Sequence, residues 1–314
     1  MSAMAVNDLA EFRVLAFDVG GSHVAAAVCS GREFRLGPLA SALHPSLQTS
    51  EAFVDLLYDL GGKARAGQDG IVGLMLAVPG PFDLVAGVSL MRHKLPYLYG
   101  FDLRGALAGR FECRPAQVRF LNDADAYLLG EIGAGAARSF RRAVGLTLGT
   151  GIGSAFAVDG RLLTEGSGVP NGGEIWNLPY EGGIVEDFVS SRAIVGSYER
   201  LTGRKREVVD LATAAAADSA AEEAFNEFGK HLGEVIRTQL AGFHADVIVL
   251  GGGISRSANL FLPAVRAQLG DSPTQLRISQ LKDTAALVGC GVAALRAGDA
   301  SPDAGKSKSA SGAV

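Results

Sequence analysis

Two stretches of the chain bend around glycine with a hydroxyl residue at the bend. In FDVGGSHVAAAV, Asp18 stands two residues ahead of Gly20-Gly21-Ser22, and GLTLGTGIGSA, residues 145–155, carries Thr147 and then Gly149-Thr150-Gly151. Successive glycines let backbone N–H groups converge on an anion with no Cβ in the way, and the hydroxyls of Ser22, Thr147 and Thr150 add donors. A third cluster, GGGIS, offers Gly252 and Gly253 as a further surface of close approach. Each stretch alone reads equally well as a plain turn. Together they suit a polyphosphate gripped from opposite walls, so a nucleotide held between two domains accounts for all three. GTGIG has neither the Lys-Ser/Thr ending of a P-loop nor the spacing of GxGxxG, which excludes both of those labels.

The carboxylates give the chemistry. Asp18 beside a phosphate is repulsive unless a cation intervenes, which points to Mg²⁺ held directly or through water. The same residue also fits an Asx-type turn cap. In LNDADA, Asn122 and Asp123 follow an apolar run and precede a helical pattern. Asp is most often a helix cap there; it is equally where a base would orient a hydroxyl for attack on phosphorus. Asp125 competes for the cap.

These residues need elements to hold them. VLAFDVG and HVAAAVC read as two short strands around the first turn, with a third strand beginning near Glu33. Residues 50 to 66 place Phe53, Leu56, Leu57 and Leu60 at helical spacing, and IVGLMLAVPGP is a strand stopped by Pro-Gly-Pro. A helix over 101–112 and a strand running into LNDADA complete an α/β order. The pattern then resets: strand, glycine turn and strand over 144–158, a helical segment over 208–241 broken near Asp218, a strand opening onto the triple glycine, and a last helix in LKDTAALVGCGVAALRA. Each half therefore opens with an apolar hairpin bent around glycine. The expected organisation is an N-terminal α/β domain over 1–121 completed by the helix at 283–297, a C-terminal α/β domain over 122–282, and a small-residue, polar, disordered tail over 298–314.

Composition narrows the function classes. Apolar residues make up 48%, and 29 Lys+Arg against 33 Asp+Glu leave a net charge of -4, so no basic surplus draws the chain to nucleic acid. No run of 18 apolar residues would span a bilayer, and the N-terminal MSAMAVNDLAEFR lacks the apolar core of a leader; the expectation is a cytoplasmic protein without a membrane partner. Cysteines at 29, 113 and 290, an odd number with no CxxC, indicate neither a disulfide framework nor a cysteine-rich zinc site.

These motifs, with AVPGPFD, LNDADAYLLGE, GGEI at 172–175, VEDFVSSRAI at 185–194 and VIVLGGGIS, resemble in order and over residues 12–296 the ROK family of sugar kinases, of the actin-like, ribonuclease-H-like ATPase superfamily. The resemblance implies a two-domain α/β fold with an interdomain cleft and ATP-dependent phosphorylation of a hexose, glucose at its 6-hydroxyl being the first expectation. It makes Asp123 the catalytic base and Asn122, Glu174 and Glu186 sugar ligands, and it implies a homodimer. ATP with Mg²⁺ at Asp18 would then lie against Gly20-Gly21-Ser22, Gly149-Thr150-Gly151 and the Gly252-Gly253 segment.

Two departures stand out. The family usually follows GEI with Gly-His and a cysteine-rich zinc loop, whereas this chain reads GGEIWNLPYEGGIVED, with Asn177 roughly in the histidine's place and no cysteine nearby. Structural zinc is therefore not expected; Trp176 would stiffen that wall by packing, and Asn177 is a further candidate sugar contact. In MRHKLPYLYG, Lys94 stands where the family commonly has Asn, facing either sugar or solvent. The alternatives are a kinase for N-acetylglucosamine, N-acetylmannosamine, fructose or mannose, a polyphosphate-dependent enzyme, a silent scaffold, and a sugar-sensing regulator. The dozen residues ahead of the first strand are too few for that regulator's DNA-binding domain.

Overall fold

The computed structural model describes residues 12–44, 47–92 and 94–299; the segment ahead of Phe12 lies outside the described residues, and of the expected tail over 298–314 the first two residues continue the last helix, which runs to Asp299, while 300–314 lie outside them. The chain forms two compact units, one holding the part through Asn122 together with the part from Cys290 onward, the other Asp123–Gly289.

In unit one the chain runs β1 (Arg13–Val19), β2 (His23–Ser30), β3 (Arg35–Leu36), β4 (Ala40–Leu43), α1 (Ser50–Ala64), β5 (Leu74–Val78), β6 (Phe82–Asp83), β7 (Val88–Ser89), α2 (Leu103–Arg110) and β8 (Val118–Asn122). The main sheet has the order β3-β2-β1-β5-β8, with β4 also on β2. The hairpin β1-β2 is antiparallel, while β5 and β8 add in parallel. Parallel strands covered on both faces read as near-continuous apolar runs, and LMLAV of β5 is buried throughout. Helix α1 starts at Thr49, whose hydroxyl accepts from Ala52 N–H at 3.2 Å, and it buries Phe53, Val54, Leu57 and Leu60 along one face. Those side chains join Leu15, Phe17 and Leu76 in one core.

Unit two repeats the plan. It contains α3 (Asp123–Ala134), β9 (Arg142–Leu148), β10 (Ile152–Val158), β11 (Arg161–Leu163), β12 (Pro179–Tyr180), β13 (Gly183–Ile184), α4 (Val185–Phe188), α5 (Ser191–Thr202), α6 (Val208–Ala214), α7 (Ser219–Gln239), β14 (Val247–Gly251), α8 (Ala258–Leu269), β15 (Gln275–Ile278) and the start of α9 (Ala285–Asp299). Its sheet, β11-β10-β9-β14-β15, places an antiparallel hairpin beside two parallel strands, the arrangement of β2-β1-β5-β8. The break expected near Asp218 is a helix start: its carboxylate accepts from Ala220 N–H at 3.1 Å and Ala221 N–H at 3.3 Å, and α7 then buries Ala221, Phe225, Phe228 and Leu232 at helical spacing.

The helix that carries Asp123 is held from behind. Cβ atoms added at Gly130 and Gly289 would lie 2.0 Å from Ala285 O and 1.7 Å from Ala126 O, so α3 and α9 meet backbone to backbone only because both positions are glycine. Farther along α3, the buried Glu131 carboxylate accepts from Ser279 Oγ (2.5 Å), Ala136 N–H (2.6 Å), Leu281 N–H (3.2 Å) and Gln280 N–H (3.4 Å), tying the helix to the strand–helix connection after β15. Removing such an acceptor strands several buried donors at about 1–3 kcal/mol each. Glu131→Ala should therefore lower the unfolding free energy by about 3–5 kcal/mol, read as a urea midpoint shift, with Ser279→Ala costing clearly less.

Candidate functional site

The two glycine turns are built alike. In unit one the β1-β2 turn is closed by Gly20 N–H donating to His23 O at 2.8 Å, and in unit two the β9-β10 turn is closed by Gly149 N–H donating to Gly151 O at 2.9 Å. Among the described residues no protein acceptor meets the N–H groups of Gly21 and Ser22, or those of Thr150 and Gly151. Each hairpin thus presents two adjacent donors, the arrangement that receives a phosphate oxygen. At Gly21 and Gly149 an added Cβ would meet nothing within 4 Å. Gly253 is open in the same way, whereas Gly252 has a packing reason: its φ is +79° and a Cβ there would lie 2.3 Å from Leu148 O.

The first turn is braced by a pair of side chains that sequence reasoning missed. Buried His44 approaches Gly20 O through Nε2 at 3.1 Å and the Tyr97 hydroxyl through Nδ1 at 3.3 Å. A carbonyl only accepts, so Nε2 carries the proton; in the neutral ring Nδ1 then accepts from Tyr97. Burial pushes the Tyr97 hydroxyl up to about 12, which keeps it a donor. A lone His after a short edge strand carries no sequence signal for this role. Lys94 is exposed and lines a cavity of about 370 Å³ with Gly21, Gln48 and Tyr97.

Asp18 is the penultimate residue of β1, half-buried and level with Ala77 of β5. Its charge adds to burial in holding the Cys290 thiol protonated, and Cys29 is likewise raised, to about 12, by burial, so neither thiol is a nucleophile. One carboxylate beside a donor-rich turn fits Mg²⁺, which keeps several waters and shares phosphate ligands. Among the described residues no group of three or more His, Cys, Asp or Glu could hold a metal ion.

Asn122 ends β8, and its amide lies 3.9 Å from where a Cβ on Gly80 would be. Asp123 opens α3 and accepts from Ala124 N–H at 2.9 Å, so it does serve the helix start. Asp125, two positions beyond, has its carboxyl raised: burial first, then the charges of Asp123 and Glu174, bring it from 3.8 to about 6. Asp123, Asp125 and Glu174 thus form one electrostatic group. Sequence reasoning treated Asp125 only as a rival cap; the signal was the i, i+2 acidic pair.

Trp176 is 40% exposed and acts through polar contacts as well. Its indole N–H donates to Glu174 at 2.9 Å while its carbonyl accepts from Glu186 N–H at 3.0 Å, so it links the two acidic residues. Glu186 itself is directed at the second turn: its carboxylate accepts from Ile152 N–H at 3.3 Å and pairs with Arg192 at 3.0 Å. Asn177 is exposed.

The sheet plan found in each unit, opened by a glycine hairpin, is that of the actin-like ATPase fold. The chain is a member of the ROK family, which matches residues 14–296. It is 26% identical over 277 residues to an N-acetyl-D-glucosamine kinase of Escherichia coli O9:H4 (strain HS), covering 81% of this chain and 87% of that protein. The ROK hexokinase from Thermus thermophilus is similar at 26% identity, with a TM-score of 0.74 over 92% of this chain and all of that one. A ROK family glucokinase from Streptomyces griseus, solved with glucose and AMPPNP, shares the fold at 22% identity, with a TM-score of 0.72 over 88% of this chain and 97% of that one. No helix among the described residues is long and apolar enough to cross a membrane.

The Asp125 shift makes stability depend on pH. The folded state binds this proton more tightly than the unfolded chain, so the contribution is most favourable below about pH 4 and is lost as pH rises through about 6. Asp125→Asn should match the native protein in stability near pH 4 and exceed it at pH 8 by up to about 3 kcal/mol, a divergence that urea titrations across this range would measure.

Proposed function

We propose that the protein is an ATP-dependent hexose kinase that phosphorylates the 6-hydroxyl of glucose. The observation that carries this reading is the pair of glycine turns, each closed by one backbone bond and each leaving two adjacent N–H donors. Membership of a family whose matched relatives include an N-acetyl-D-glucosamine kinase and a hexokinase supports it.

In this reading Gly20-Gly21-Ser22 and Gly149-Thr150-Gly151 donate to the phosphates of ATP, and Gly253 leaves room for the nucleotide. Asp18 would hold Mg²⁺, which neutralises phosphate charge. Asn122 and Glu174 orient the sugar hydroxyls, with Asn177 at the rim. Trp176 fixes the Glu174 rotamer, and Glu186 reaches the sugar or holds the second turn. Asp123 accepts the proton of the 6-hydroxyl as its oxygen bonds to the γ-phosphorus and the bond to the ADP oxygen breaks. Asp125, titrating near 6, limits the charge that accumulates beside Asp123. The absence of cysteine from the Glu174–Glu186 loop leaves structural zinc out of this proposal. A cytoplasmic homodimer is part of the same reading.

A second reading, N-acetylglucosamine as substrate, is favoured by the identity of the Escherichia coli relative. An N-acetyl group needs extra volume and a partner for its carbonyl, which exposed Asn177 is able to supply.

Asp123→Asn should lower kcat by about 10²–10⁴-fold in a coupled ADP-release assay while leaving the unfolding midpoint within a few degrees. A variant that keeps a tenth of native turnover removes Asp123 as the base; a native protein that binds sugar but turns nothing over points to a sensor. Measured over glucose, mannose, fructose, N-acetylglucosamine and N-acetylmannosamine, kcat/KM should be highest for glucose. A tenfold advantage of an N-acetyl sugar, about 1.4 kcal/mol in the transition state, selects the second reading.

A further inference from the structure

The cavity beside the first glycine turn contains a residue that the mechanism above does not use. Its lining brings together Gly21, His44, Gln48, Lys94 and Tyr97, and its volume is about 370 Å³. One wall is the turn, with the unaccepted N–H groups of Gly21 and Ser22 and open space where a Gly21 Cβ would be. The other wall is the segment Lys94-Leu95-Pro96-Tyr97. The two walls are tied by the bonds from Tyr97 to His44 and from His44 to Gly20 O, so the base of Lys94 is held close to the turn.

Charge decides what such a cavity accepts. Backbone N–H groups are neutral, and Asp18 brings a negative charge to the same turn. A nucleotide tail placed there needs positive charge beyond what one divalent ion contributes. Among the lining residues Lys94 is the single lysine or arginine, and it makes no ion pair among the described residues. A lysine ammonium has three donors and no acceptor, and on a flexible stem it acts on phosphate as a point charge.

We infer that Lys94 is a specificity-determining ligand for the terminal phosphate of the nucleotide donor, bound in this cavity against the Gly20-Gly21-Ser22 turn. The inference rests on the kinase reading for the identity of the anion and on the cavity for its place. It assigns Lys94 to the donor and not to the sugar. It also gives the Tyr97–His44 pair a function: holding the cation and the turn at a fixed separation.

Direct binding separates this inference from the reading it rests on, because binding needs no turnover. Calorimetric titration of the native full chain with AMPPNP and with ADP, each with Mg²⁺, should show binding of both. Lys94→Met should weaken AMPPNP by about 10-fold or more, as expected for loss of a charge-assisted contact, and ADP by less than about 2-fold; Lys94→Arg should restore part of the loss. In steady state KM for ATP should rise with KM for the sugar unchanged. Equal binding of AMPPNP to native and Lys94→Met protein overturns the inference and leaves the kinase reading intact. A rise confined to the sugar KM overturns it in favour of a sugar contact. A native protein that binds neither nucleotide overturns both.

Discussion

A backbone N–H that no protein atom accepts must meet water or a ligand, and a hairpin normally spends its turn donors on its own carbonyls. In both hairpins here a single bond closes the turn, Gly20 to His23 in one and Gly149 to Gly151 in the other, and two N–H groups are left over each time. The surrounding sheets make that arrangement permanent. Because β1 and β9 are each the strand at which antiparallel pairing gives way to parallel pairing, the turn that follows is fixed on one side by its hairpin partner and on the other by β5 or β14. The donors are therefore aimed by the core and need little ordering when a ligand arrives, which is where preorganised hydrogen bonds gain most.

The side chains that accompany these donors are mostly acidic, and their mutual repulsion shapes the site. Burial first, and then the charges of Asp123 and Glu174, raise Asp125 to about 6. Glu186 escapes that group by turning to Ile152 N–H and Arg192. Trp176 donates to the Glu174 carboxylate and accepts from the Glu186 backbone, so one residue orients Glu174 and ties it to the chain at Glu186.

The repeated architecture was legible because its signals are local. Apolar runs broken by glycine marked β1-β2 and β9-β10, spacing marked α1 and α7, and Asp218 marked the break before α7. The third strand expected near Glu33 arrives two residues later, as β3, and is followed by β4 on the same partner strand. What was not legible depends on contacts distant in sequence. Nothing local couples His44 to Tyr97 across 53 positions, and nothing in GEIWN distinguishes a tryptophan that packs from one that donates to the glutamate two residues back. Glu131 reads as an ordinary helix residue until Ser279, 148 positions away, is found against it.

The glycines divide in a way that sequence cannot. At Gly151 a Cβ would lie 2.1 Å from the Glu186 carboxylate, the movable end of a long side chain, and at Gly251 it would meet the Tyr127 ring, whereas Gly252 has a φ of +79° and faces the backbone of Leu148. Gly252 would be glycine in a protein that bound nothing. Gly21, Gly149 and Gly253 have no protein neighbour within 4 Å of the missing Cβ, and none of the three has a left-handed φ. Neither packing nor a left-handed backbone accounts for these three, and the same holds for Gly62, Gly109 and Gly196 on helices, so the distinction that the structure adds is between glycines fixed by a neighbouring backbone and glycines open to solvent.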